Sequence, residues 1–159
     1  MKFKIFDCIT FFEENLHLQL RFNILNDLVD YFVICESKYG HDGVEKKINF
    51  SKKNYPKFKD KIIHIVIEKF PNQLDRWGRQ DYQRDYLANG IENANNEDLI
   101  IFSDSDEIPS PKAILDINFL EKYFIFIQIH YCYKFNVISV EEKFWEGSRA
   151  CKKKNLKSF

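Results

Sequence analysis

In the segment LIIFSDSDEIPSP, Leu99 to Pro111, four apolar residues run together without a polar interruption, and three carboxylates follow within four positions. A strand without alternation is covered on both faces, as in sheets buried between layers of helix. Pro109 and Pro111 end the extended stretch and allow a helix to start near Lys112. Asp104, Asp106 and Glu107 are thereby delivered to the carboxyl end of a core strand, where open α/β sheets bind ligands.

Other segments repeat the pattern. Phe3 to Ile9 reads as a first strand and Glu13 to Leu28 as a helix, with Leu18, Arg21, Leu25 and Leu28 on one stripe. Val29 to Cys35 is a second strand, followed by a loop containing Gly40 and Gly43. Ile62 to Ile67 is a third, Gln80 to Ala94 a helix, and Asp98 to Ser103 the fourth strand. Pro111 to Lys122 is a short helix and Tyr123 to Phe135 a long aromatic strand, with a partner near Gly147 to Lys152. The Tyr and Phe alternation of that long strand reads as core packing. Strands alternating with helices predict a mainly parallel α/β sheet with right-handed crossovers.

In such a sheet the crossover helix Gln80 to Ala94 runs antiparallel to the strands, so its amino end reaches the edge from which Asp104 emerges. Its inward stripe of Leu87 and Ile91 continues through Arg84 to Gln80. Trp77 stands just before them, and Glu36 closes the second strand at the same edge.

Composition removes several alternatives. The chain has 159 residues, enough for one domain, and 24 basic against 24 acidic residues. That balance argues against a general electrostatic grip on nucleic acid. Cys8, Cys35, Cys132 and Cys151 form no C-x-x-C pair, and the four histidines show no metal-ligand spacing, so the thiols read as reduced core cysteines. The start, MKFKIFDCITFF, is interrupted by Lys4 and Asp7 and is a strand rather than a signal peptide. No apolar run approaches the ~18 residues of a membrane span. A cytoplasmic protein is expected.

Two aspartates separated by one residue on a turn can offer oxygens to one hard divalent cation, Mn²⁺ or Mg²⁺, which commonly shares them with substrate phosphates. A nearby Arg84 guanidinium suits a phosphate oxygen or one of the carboxylates. A dehalogenase-type phosphatase also carries D-x-D after a strand, but there Gly-Thr follows, and here Glu107-Ile108 does. A sugar nucleotidyltransferase wants a glycine-rich loop after the first strand, and no glycine precedes Gly40.

The stretches FDCITFFEENLHLQLRFNILNDLVDYFVICES (Phe6 to Ser37), RWGRQDYQRDYL (Arg76 to Leu87) and IIFSDSDEIP (Ile100 to Pro109) resemble glycosyltransferase family 17. FWEGSRACKKKNL (Phe144 to Leu156) is a weaker match. The resemblance implies one GT-A-type, Rossmann-like domain over residues 1–159, mainly parallel and flanked by helices. It implies a metal-dependent inverting transfer of a sugar, N-acetylglucosamine from its UDP donor, to a glycan acceptor. Asp104 and Asp106 match the metal-binding D-x-D. Glu36, Trp77, Gln80 and Arg84 fall within matching motifs as donor-binding candidates. Thr10, after the first strand, either meets the nucleotide or shapes a turn.

Family members continue beyond Phe159 into a Gly-Trp-His stretch that this chain does not show. The expectation is a domain cut short on its acceptor side, completed by a second chain. Its alternative is a non-catalytic sugar-nucleotide-binding remnant or one half of a split enzyme. The catalytic residue stays open: an inverting transfer needs a general base, and Asp106, Glu107 and Glu146 are equal guesses.

Overall fold

A computed structural model describes residues 3–134 and 136–159. In chain order the elements are β1 (Ile5–Phe11), α1 (Asn15–Leu25), β2 (Tyr31–Ser37), β3 (Ile62–Ile67), α2 (Arg76–Asp85), β4 (Leu99–Ser103), α3 (Pro111–Leu115), β5 (Tyr123–Ile129) and β6 (Phe144–Lys152). The six strands form one mixed sheet in the order β3-β2-β1-β4-β6-β5. The first four are mutually parallel; β6 pairs antiparallel with β4, and β5 pairs antiparallel with β6, so only β6 runs against the rest.

The period of two along each strand divides the core into two layers. Ile5, Ile9 and Phe11 of β1 join Phe32, Ile34, Leu99 and Ile101 beneath Leu18, Phe22 and Leu25 of α1. On the other face, Phe6, Cys8, Val33, Cys35 and Ile100 pack under Leu87 and Ile91, in the 3-10 turn that continues α2. Leu99, Ile100 and Ile101 are all buried, so β4 is covered on both faces as its sequence requires. At Gly90 an added Cβ would lie 2.2 Å from Val33 Cγ1, so only glycine lets this turn settle onto β2.

Several boundaries differ from expectation. The helix expected over Pro111 to Lys122 stops at Leu115, because the following residues fold back to set Phe119 against Phe3 and Phe124. The long strand ends at Ile129, where the chain turns through Tyr133 (φ 63°), and Phe135 lies outside the described residues. Nor is its alternation core packing on both sides. Phe126 is buried, but Tyr123, Ile125, Ile127 and Ile129 are exposed, because α2 and its 3-10 turn cover β1 to β3 and not this flank. Among the described residues no helix is long and apolar enough to cross a membrane.

Candidate functional site

The chain builds outward from β1 to β2 and β3, then returns to place β4 on the other side of β1. Where the order reverses, the loops after β1 and β4 diverge and leave a crevice at the strands' carboxyl ends. A cleft of about 670 Å³ opens there, walled by Thr10, the loop after β2, the first turns of α2, and Asp104 to Asp106.

Arg21 builds one wall of this cleft from inside. Asp7 lies on the α1 face of β1 among apolar neighbours, and Arg21 lies on the buried stripe of α1. Arg21 Nε and Nη2 each donate to an Asp7 oxygen at 2.6 Å. Nη2 also donates to Ser103 Oγ at 2.8 Å, and Nη1 to the carbonyls of Glu107 (2.9 Å) and Asp104 (3.3 Å). All five N–H groups of the guanidinium are satisfied without water, as a buried cation requires. Ser148 Oγ adds a bond to the Glu107 carbonyl at 2.8 Å, and the Glu107 amide closes the turn onto the Asp104 carbonyl at 3.1 Å. The acidic turn is thus held by its backbone, and its aspartate side chains remain at the cleft wall.

Arg84 approaches from the other face of the sheet. Its Nη2 lies 3.4 Å from both oxygens of Asp104, and its guanidinium carbon sits 5.7 Å from the centre of the Phe102 ring. Its Nε is buried without a hydrogen-bond partner, so this guanidinium is not saturated. Gln80 lines the cleft, as does Thr10.

Arg84 is not in the cleft lining and reaches it only through Asp104, and two further candidates lie elsewhere. Trp77 sits in the first turn of α2, which starts four residues earlier than expected; it is 68% exposed and is not part of the cleft lining. Glu36 is fully buried. It accepts from Lys46 Nζ (2.6 Å) and from the amides of Asn49 (2.7 Å) and Phe50 (3.0 Å), with His64 Nε2 at 3.7 Å. Burial alone would raise its pKa, but the nearby His64 ring and the bonds from Asn49, Lys46 and Phe50 outweigh it and hold the carboxyl below the usual range. Glu36 therefore fastens the loop over the cleft instead of facing a ligand.

That loop turns at Gly43 (φ +86°), with the Arg79 guanidinium 3.2 Å from where a Cβ would stand. Arg79 donates to the His41 carbonyl, and His41 meets Gln83, whose amide bonds the Cys35 carbonyl. Neither Arg21 nor Gln83 was read from the sequence as a site residue. The available signal was a charge or amide on an otherwise buried stripe, matched for Arg21 by Asp7 within β1.

Among the described residues no three His, Cys, Asp or Glu side chains converge tightly enough to hold a metal unaided. Asp104 and Asp106 nonetheless offer carboxylate oxygens from one turn into one cleft. Such a donor set fits a hard divalent cation that completes its sphere with ligand phosphates and water.

An acidic turn at the switch point of an open α/β sheet lies where such sheets bind ligands. The chain belongs to glycosyltransferase family 17, whose model matches residues 1–157. It is 31% identical over 116 residues to the human beta-1,4-mannosyl-glycoprotein 4-beta-N-acetylglucosaminyltransferase, covering 67% of this chain and 21% of that protein. The rat and mouse proteins of the same name match over the same length at 31% and 30%. The matched segment thus spans about a fifth of these curated relatives.

Proposed function

We propose that this chain forms the donor-binding part of a GT-A-type, inverting glycosyltransferase that moves N-acetylglucosamine from UDP-N-acetylglucosamine to a glycan. Membership of family 17 supports glycosyl transfer; the transferred sugar and the acceptor class follow the names of the relatives, and the UDP carrier follows the family resemblance. One observation carries the assignment to this cleft. Arg21 holds the acidic turn through its carbonyls, so Asp104 and Asp106 stay available beside the unsaturated Arg84.

In this reading Asp104 and Asp106 hold Mn²⁺ or Mg²⁺, which when bound neutralises charge growing on the departing diphosphate. Arg84 turns from Asp104 toward a phosphate oxygen, and Thr10 and Gln80 meet the nucleotide or its sugar. An acceptor oxygen bonds to the anomeric carbon as the bond to the diphosphate oxygen breaks on the opposite face. The acceptor's proton passes to a base.

Calorimetry with UDP and Mn²⁺ tests the assignment. Binding should require the metal, vanish in Asp104→Ala and Asp106→Ala, and weaken about ten- to hundredfold in Arg84→Ala, the range of a lost charge-assisted hydrogen bond. Folded aspartate variants that bind UDP with undiminished metal dependence would sink it.

A further inference from the structure

A second cleft, of about 730 Å³, lies on the far side of the acidic turn. Asp104, Asp106 and His17 line both clefts. Whatever occupies the second therefore meets the occupant of the first across the two aspartates. Its character is different. Trp145 and Tyr131 give it exposed aromatic surface, 41% and 47% accessible, and Ile129 also lines it.

The Trp145 ring is fixed rather than merely exposed. Its Nε1 donates to Glu107 Oε1 at 2.6 Å, and Glu107 Oε2 accepts from the Asp104 amide at 3.2 Å. The His130 ring packs 5.4 Å from it. One carboxylate thus ties an aromatic platform to the backbone of the acidic turn. A rigid aromatic face beside polar groups suits a ligand with one apolar face and a polar rim. The C–H face and hydroxyl rim of a pyranose ring have this form. Beyond the two aspartates assigned to the metal, the lining sets Glu107 against Lys134, so the cleft offers a further anion no net attraction, and a neutral sugar needs none.

We propose that this second cleft is the acceptor subsite, that it takes a neutral pyranose of a saccharide chain, and that the ring rests on Trp145. Glu107 is a positioning residue: it sets the Trp145 plane relative to Asp104. The proposal rests on the first cleft being the donor site. It reverses the expectation that the aromatic residues of this segment are packing alone.

Saturation-transfer NMR on the full chain, with methyl β-mannoside and N,N′-diacetylchitobiose as probes, tests it. Ring protons of at least one sugar should receive saturation from wild type, and should still do so with UDP and Mn²⁺ in excess. Trp145→Ala should cut the transfer at least fivefold and leave UDP affinity within about twofold; Trp145→Phe should keep part of it, and serves if the alanine variant does not fold. Absence of transfer from wild type to both sugars overturns the proposal. So does undiminished transfer in Trp145→Ala, or loss of signal on adding UDP. Failure of wild type to bind UDP would instead remove the donor assignment, and the sugar signals can be read without it.

Discussion

Arg21 and Asp7 form a two-pronged ion pair with both side chains wholly buried, each prong 2.6 Å long. A charge pair so placed is costly to desolvate, and its attraction alone does not guarantee a net gain in stability. Here it does something a hydrophobic pair cannot. With Asp7 occupying two of its N–H groups, Arg21 carries the remaining three to Ser103, Asp104 and Glu107. The core of the sheet thus reaches the cleft wall through one side chain.

Arg21→Met leaves the Asp7 carboxylate buried without a partner and should lower stability by about 3–5 kcal/mol, read from the urea midpoint. Adding Asp7→Leu removes the stranded charge and should recover most of that loss. Metal-dependent UDP binding should not return with it, because the carbonyls of the acidic turn still lack their donor. An Arg21→Met chain melting at the wild-type midpoint would show that the pair does not carry this load.

Glu36 makes stability depend on acid. A carboxyl held below its ordinary value of 4.5 contributes stability that is complete above that value and is lost as pH falls through the lowered one. The wild-type urea midpoint should therefore be flat near neutrality and drop below about pH 4.5. Glu36→Gln should be less stable at pH 7 and show a shallower acid decline, since an amide has no proton to gain. Parallel pH profiles for the two chains would refute the assignment.

The thiols should separate in a native labelling experiment. Burial, aided by the Glu36 charge, pushes Cys35 up to about 12. Burial likewise raises Cys8 and Cys151, with the Asp7 charge adding to the first. Cys132 alone among the four is not buried. A disulfide reagent at pH 8 should modify one thiol quickly, at Cys132, and the other three only at the rate of unfolding. Rapid release of more than one equivalent would contradict this packing.

Much of the frame was legible because burial writes itself plainly in strands. Leu99 to Phe102 without alternation announced a strand covered twice, and the stripe of Leu87, Ile91, Arg84 and Gln80 brought α2 to the right edge. Glu36 misled because β2 runs on to Ser37. Its alternation sends the carboxylate to the α1 face, where residues 46 to 50 close over it, and no local pattern announces that closure. Arg21 was visible as a cation on an apolar stripe, but its partners Asp7, Ser103, Asp104 and Glu107 come together only through the sheet order. The exposed flank of β5 was hidden for the same reason: alternation shows that two faces differ, not which one a helix will cover.

The place of β1 between β2 and β4 also sets a timetable. Its first hydrogen-bonded neighbour follows within about thirty residues, but its other edge waits for Leu99 to Ser103, across a separation of 94 positions. Contacts this distant in sequence are slow to close. While a ribosome extends the chain, β1 to β3 can pair with one edge bare and Arg21 facing only Asp7. Such an edge is a template for another chain, so this interval is when the nascent protein is most exposed to misassembly. The cleft comes into being only when Glu107 has been synthesised and its carbonyl reaches the waiting guanidinium.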